Sequence, residues 1–267
     1  MTTMPADRRP SISLCSWACN EEELIDQFVA KTLADLARVS DDYELIIVDD
    51  GSTDTTLARL HQLQATTPAL RVTTHGRNRG YGSCFRTTIG MATKDVVLWN
   101  TVDMFFDTTE LPGFLQHLDR FDLIQGVRTD LDANNLRGKL KTVVNYWLIR
   151  VLFGIKMSEY QNVKVYKRAL MSNMQLQAES GFVNAEIGLK AHLLGARIKE
   201  VEMKFHPRCA GESKGAPPAV LWRTLADVVG AWFNWMVLRR VPRAPVRYAV
   251  DRLPARSWAR PEFLKGK

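Results

Sequence analysis

Short apolar runs alternate with longer amphipathic stretches through the first two-thirds of the chain. The runs Ile12–Trp17, Leu45–Val48, Leu70–Thr74, Val96–Trp99 and Phe121–Val127 read as strands. Between the first two, Leu24, Ile25, Phe28, Val29, Leu33 and Leu36 recur on one face, which predicts a helix over Glu21–Val39. Asp54 stands where a cap for a second helix belongs, running to about Gln64. Tyr81–Ala92 and Leu111–Leu118 predict two more. Leu45–Val48 is apolar at every position, so that strand is expected to be buried on both faces. Strands alternating with helices in this way predict an α/β fold with right-handed crossovers and a mostly parallel central sheet flanked by helices. Ligands of such sheets sit beyond the carboxyl ends of the strands. Asp49, Asp50 and Asp103 fall at those ends.

The last third is organised differently. Arg137–Phe153 and Gly181–Leu194 have helical character, with Gly195 as a C-terminal cap. Arg197–Phe205 alternates as a strand, with Ile198, Val201, Met203 and Phe205 facing inward. Ala219–Leu238 holds Trp222, Trp232, Phe233 and Trp235, and Arg239-Arg240 follow. A spanning helix needs about 20 apolar residues, and the charge-free part, Val228–Leu238, is too short. This composition suits an amphipathic helix lying in a headgroup region; the alternative is a helix packed on the domain with its tryptophans in the core. Leu148–Ile155 is a second apolar stretch suited to the same surface. From Arg239 onward, nine Lys/Arg against Asp251 and Glu262 carry the whole net charge of +7. Four prolines punctuate that basic tail, which fits either an anionic membrane surface or a solvated end; no nucleic-acid partner is expected. The chain thus divides into an N-terminal extension (1–10), an α/β domain (11–216), the amphipathic helix (217–240) and the basic tail (241–267). A polar Met1–Pro10 and four cysteines without a pairing pattern fit a cytoplasmic protein, peripheral at the inner face of the membrane.

Motifs narrow the chemistry. No Gly-x-Gly-x-x-Gly follows the first strand and no Walker lysine loop is present, which weighs against a dinucleotide cofactor. Ser16-Trp17-Ala18-Cys19-Asn20-Glu21-Glu22 stands there instead, and the second strand ends in Val48-Asp49-Asp50-Gly51-Ser52-Thr53-Asp54. With Asn78, Gly80 and Gly82 in Arg77–Gly82, and Arg208-Cys209-Ala210-Gly211-Glu212-Ser213-Lys214 later, the chain resembles inverting family 2 glycosyltransferases. The polyprenyl-phosphate branch, which includes dolichyl-phosphate mannose synthases, is the most similar. The resemblance covers about Ser11 to Lys214. It implies a Rossmann-like GT-A fold and a nucleoside-diphosphate sugar donor carrying UDP or GDP. It also implies an acceptor that is a polyprenyl phosphate or another group.

The same resemblance distributes roles. Trp17, Asn20, Glu21, Asp49, Asp50, Asn78, Gly80 and Arg128 are the candidate donor-binding residues, with carboxylates accepting from base or ribose. Plain turn chemistry is the alternative for Asp49-Asp50, and helix-dipole complementation for Glu21 and Glu22. The family's Asp-x-Asp falls on Thr101-Val102-Asp103. Asp103 is therefore the candidate ligand for Mg²⁺ or Mn²⁺, and Thr101 in place of the first acid predicts a weaker site. Arg128, Arg208 and Lys214 are suited to charge growing on the departing diphosphate, and Asp103, Glu186, Arg208 and Lys214 form the candidate catalytic set. A polyprenyl monophosphate is already ionised and needs no base. A hydroxyl acceptor would need Glu186 as one. A catalytically silent nucleotide- or lipid-binding scaffold is the third reading, kept by Thr101 and by Tyr160–Lys164, which departs from the branch's pattern.

Overall fold

The computed structural model of the chain describes residues 9–102, 106–128, 147–160, 162–204 and 218–241. Its strands are β1 (Ile12–Ala18), β2 (Tyr43–Asp49), β3 (Leu70–Thr74), β4 (Val96–Trp99), β5 (Leu123–Arg128), β6 (Lys164–Lys167) and β7 (Ile198–Met203). They form one sheet in the order β3-β2-β1-β4-β6-β5-β7. The pairs β1–β2, β2–β3, β1–β4 and β5–β7 are parallel. The exception is β6, which runs antiparallel between β4 and β5. A mostly parallel sheet is therefore correct, with one reversed strand that periodicity did not reveal: Lys-Val-Tyr-Lys is only 4 residues long and carries a lysine at each end.

The helices are α1 (Ile25–Val39), α2 (Thr56–Thr66), α3 (Tyr81–Met91), α4 (Leu111–Leu115), α5 (residues 147–153), α6 (Arg168–Met171), α7 (Phe182–Leu193) and α8 (Pro218–Trp232). Alternation along β2 sorts the two layers. Leu45 and Ile47 pack with Phe28 and Leu36 of α1 and Leu60 of α2. Ile46 faces the other way, toward Phe85 of α3 and Phe182 of α7. All four residues Leu45–Val48 are fully buried, as their unbroken apolar run demands. At the amino ends of the strands, Glu44 joins three neighbours. It accepts from Ser13 Oγ (2.6 Å), Arg71 (2.6 Å) and the Thr93 amide (2.7 Å). Burial works against its charge, but these bonds hold its pKa below the ordinary glutamate value.

Several boundaries differ from the periodic pattern, those of α1 and α4 among them. α1 starts at Ile25 rather than Glu21, because the Glu21 carbonyl accepts from both Leu24 and Ile25 amides in a preceding turn. α4 ends at Leu115, and residues 116–120 continue as turns. Of the predicted helix over 137–153, residues 147–153 are helical; the remainder, like Phe205 and the tail beyond 241, lies outside the described residues.

α7 is unusual in being buried on every side from Phe182 to Ala191, so its polar residues must find partners within the protein. Asn184 does so through Lys164 of β6, whose Nζ donates to Asn184 Oδ1 (3.0 Å), Tyr160 O (2.9 Å) and Asn162 O (3.1 Å). Desolvation by burial pulls the Lys164 pKa down to about 7. Between about pH 7 and about pH 10 the unfolded chain then binds a proton that the folded chain has lost, so this group makes stability rise with pH, by up to ~1.4 kcal/mol per unit. Denaturant unfolding of the wild type and of Lys164→Met across that range is expected to give a steeper upward slope for the wild type. Parallel profiles would contradict a buried, easily deprotonated Lys164.

Candidate active site

Three loops meet at the carboxyl ends of β1, β2 and β3, and side chains sew each to the next. The first loop carries Asn20, at a left-handed φ of 56° that asparagine tolerates better than most residues. Its Oδ1 accepts from the Thr53 amide (2.8 Å), and its own amide donates to Ser52 Oγ (3.0 Å). The Glu21 amide donates to Thr56 Oγ1 (2.9 Å), and Glu22 accepts from both the amide (3.0 Å) and hydroxyl (2.5 Å) of Thr55. Asp54 accepts from the Thr56 amide (2.9 Å) in the turn that leads into α2, whose N-cap position is Thr55. Backbone and side-chain groups of the first two loops thus brace one another across the gap between them.

The third loop hangs on Asp50. This carboxylate is fully buried, and it accepts from the amides of Arg79 (2.9 Å) and Gly80 (2.9 Å) and from His75 Nδ1 (2.7 Å). His75 Nε2 faces Thr87 Oγ1 of α3 at 2.9 Å, which fixes the ring from its far side. Gly80 has φ +84°, a conformation that lets the chain turn into α3 while its amide points at the carboxylate. Asp49 closes its own turn, accepting from the Gly51 and Ser52 amides and from Thr74 Oγ1 (3.1 Å). Cys84 joins this group: its sulfur, a His75 ring nitrogen and an Asp50 oxygen lie within 4.8 Å of one another. Burial, followed by the charge of Asp50, pushes the Cys84 thiol pKa up, so it stays protonated. Asn78 Nδ2 points to Cys19 Sγ at 3.6 Å, linking the third loop back to the first.

An aromatic cluster lies where β1, β4 and α3 converge. The Tyr81 ring contacts Trp17 (6.1 Å between centroids) and Trp99 (4.9 Å), and Phe85 stacks on Trp99 at 4.8 Å. Trp17 Nε1 and Ser16 Oγ, at the end of β1, are buried without a hydrogen-bond partner. At the end of β4, Asn100 turns inward: its Nδ2 donates to Phe106 O (2.9 Å), and its Oδ1 accepts from the Thr101 amide (3.0 Å). Arg128, at the end of β5, is paired with Glu159 at 3.3 Å.

Trp17, Asn20, Glu21, Asp49, Asp50, Asn78 and Gly80 are thus brought together at one edge of the sheet, whereas Asp103, Arg208 and Lys214 lie outside the described residues. Glu186 is on the fully buried α7. Its Oε1 takes the Lys190 ammonium and the Gln177 amide (2.9 Å), and its Oε2 takes the Ala178 amide (2.9 Å). Sequence reasoning missed His75, Tyr81 and the loop 177–180. His75 directly follows β3, so its place at a carboxyl strand end was the available signal; nothing local marks the loop.

Comparison with known proteins agrees with this architecture. A model of the glycosyl transferase family 2 matches residues 13–172. The chain is 27% identical over 219 residues to the dodecaprenyl-phosphate galacturonate synthase of Rhizobium johnstonii, covering 80% of this chain and 64% of that protein. It is 26% identical over 200 residues to the undecaprenyl-phosphate 4-deoxy-4-formamido-L-arabinose transferase of Edwardsiella ictaluri, covering 73% and 60%. The chain therefore spans under two-thirds of the length of these relatives. Among solved structures, it superimposes on glucosyl-3-phosphoglycerate synthase from Mycobacterium tuberculosis, in complex with Mn²⁺, UDP and phosphoglyceric acid, with a TM-score of 0.62. The sequences are 19% identical, and the match covers 87% of this chain and 80% of that one. That likeness supports the expected GT-A fold.

Replacing Asp50 by Asn sets an amide N–H₂ against groups that are all donors. Asp50→Asn is expected to lower unfolding free energy by about 1–3 kcal/mol, measured by denaturant titration. A variant as stable as the wild type would contradict the role assigned to this carboxylate.

Proposed function

The chain belongs to glycosyl transferase family 2, and from that premise we propose that it transfers a sugar, with inversion, from a nucleoside-diphosphate donor to a polyprenyl phosphate at a membrane surface. The observation that carries the reading is the trio of interlocked loops at the carboxyl edge of the sheet, centred on Asp50. A pyrimidine or purine base and its ribose need a rigid edge of backbone groups, and loops braced on a buried carboxylate provide one. The R. johnstonii and E. ictaluri relatives are named for polyprenyl-phosphate acceptors, which supports the acceptor class.

In this reading Asp50 acts through the loop it holds rather than by touching the base, while Asn20, Asn78 and Gly80 line the donor. An acceptor phosphate oxygen forms its bond to the anomeric carbon from the face opposite the diphosphate. The bond from that carbon to the diphosphate oxygen breaks, and the nucleoside diphosphate leaves with the electron pair. The chain's part is in-line positioning and support of the leaving charge. Arg208 and Lys214 are assigned to that charge by family resemblance; Arg128, paired with Glu159, is a further candidate. Of the expected metal set, the described residue is Thr101, whose neutral hydroxyl replaces a carboxylate, so the burden falls on Asp103. Mg²⁺ or Mn²⁺, when bound there, neutralises diphosphate charge.

An ionised acceptor phosphate needs no base, and the surroundings of Glu186 fit that: its oxygens hold Lys190 and two backbone amides. Glu186→Gln is therefore expected to lower thermal stability and activity together. Activity lost with stability intact would instead favour Glu186 as a base for a hydroxyl acceptor.

Membrane docking falls to α8 and the π-helical turn after it, Phe233–Val237. Trp222, Leu225, Val229, Phe233 and Met236 form an exposed apolar stripe at helical spacing. Arg223, Arg239 and Arg240 are exposed beside it, and α5 adds exposed Trp147 and Val151. No helix among the described residues is long and apolar enough to cross a membrane. One tryptophan goes the other way: Trp235 is buried against Phe153 and Phe182.

Titration calorimetry with UDP and with GDP, each with and without Mn²⁺, tests the donor. Binding of one nucleotide, strengthened by the metal, is expected; binding of neither removes the enzyme reading. Vesicle sedimentation tests the surface. Trp222→Glu with Val229→Glu is expected to cut binding to phosphatidylglycerol vesicles severalfold, and unchanged binding would contradict the assignment.

A further inference from the structure

The outward stripe of α8 has a counterpart on its inner side. Asp227 Oδ2 accepts from the amides of Glu179 (3.1 Å) and Ser180 (2.9 Å). Those amides belong to the irregular segment 177–180, which is gripped from two further directions. Glu186 of α7 takes the amides of Gln177 and Ala178. From α3, Arg86 donates to Ala178 O (2.6 Å) and to the Glu179 carboxylate (3.1 Å), and the Gly82 amide donates to Glu179 O (3.2 Å). The approach to α3 is so close that a Cβ on Gly82 would stand 2.3 Å from Ala178 O. Two residues before Gly82, the Gly80 amide is bonded to Asp50. An unbroken series of contacts thus runs from the lipid-facing helix to the carboxylate that holds the donor loops.

Val228 and Trp235 pack α8 and the turn after it onto the core. A cavity of about 250 Å³ opens between α7 and α8, lined by Ala178, Phe182, Asp227, Gly230 and Trp235 among others. Beside that gap, the two bonds of Asp227 join α8 directly to the backbone of segment 177–180.

We infer that Asp227 is a positioning residue that couples docking of α8 on an anionic lipid surface to the affinity for the donor nucleotide. The inference rests on the donor and membrane assignments made above. Lipid on one side of α8 holds the helix in place; Asp227 on the other holds segment 177–180 against the start of α3, where the Asp50-bonded loop ends. Coupling of this kind is reciprocal, so nucleotide strengthens lipid binding by the same factor.

The test is calorimetric titration of the full chain with UDP and GDP, with and without phosphatidylglycerol-containing vesicles, alongside vesicle sedimentation. For the wild type, vesicles are expected to tighten nucleotide binding by about fivefold or more. Asp227→Ala retains α8, since alanine favours helix more than aspartate does, and it is expected to sediment with vesicles yet lose the gain. Asp227→Asn keeps an acceptor oxygen for the two amides and is expected to restore part of it. An undiminished gain in Asp227→Ala, or a wild type that binds both nucleotide and vesicles without any gain, overturns the coupling alone. A wild type that binds neither nucleotide overturns the donor reading, and one that ignores vesicles overturns the membrane reading, and either result removes the coupling as well.

Discussion

A carboxylate with no access to water must be met by donors, and Asp50 meets three. Burying such a charge without partners would cost several kcal/mol, so the chain around it has little freedom. The amides of Arg79 and Gly80 must converge on it, and His75 must turn toward it. The left-handed Gly80 follows from that convergence, as does the entry angle of α3. Because Asp50 closes β2, next to β1 at the centre of the parallel part of the sheet, this constraint fixes the loop edge relative to the most rigid part of the fold.

The same rule, that buried polar groups need partners, organises the interior far from that edge. α7 is enclosed on all sides from Phe182 to Ala191, and its three buried polar residues are resolved in pairs: Asn184 with Lys164, Glu186 with Lys190. Lys190 also lies 4.8 Å from the centre of the Trp235 ring, joining α7 to the turn after α8. Glu186 then passes its remaining capacity to the backbone of segment 177–180. A chemistry-bearing residue type in the right sequence position is here part of the frame.

Much of the fold was legible in the chain. Leu45–Val48 announced a doubly buried strand, and the apolar face of α1 announced its side of the sheet. The left-handed Gly195 also followed from residue type. What sequence could not give was long-range. β6 is short and flanked by charge, and its reversed direction depends on which neighbours accept it. The motif Asp49-Asp50 marked the site and favoured a functional role for Asp50 over turn chemistry, but residue type could not show that Arg79, Gly80 and His75 converge on that carboxylate. Glu21 and Glu22 read as a helix start, yet the Glu21 amide donates to Thr56 Oγ1 and the Glu22 carboxylate accepts from Thr55 across the loop gap. Segment 177–180 had no local signature, because its role comes entirely from the three helices around it.

A crystal of the protein soaked with UDP or GDP and Mn²⁺ bears most directly on the central claim, that the Asp50-braced loops form the donor edge. The account predicts the base and ribose lodged against Asn20 and Asn78–Gly80, with Asp50 still bonded to the Arg79 and Gly80 amides. Nucleotide bound elsewhere on the molecule, or loops rearranged so that Asp50 releases those amides, would contradict it.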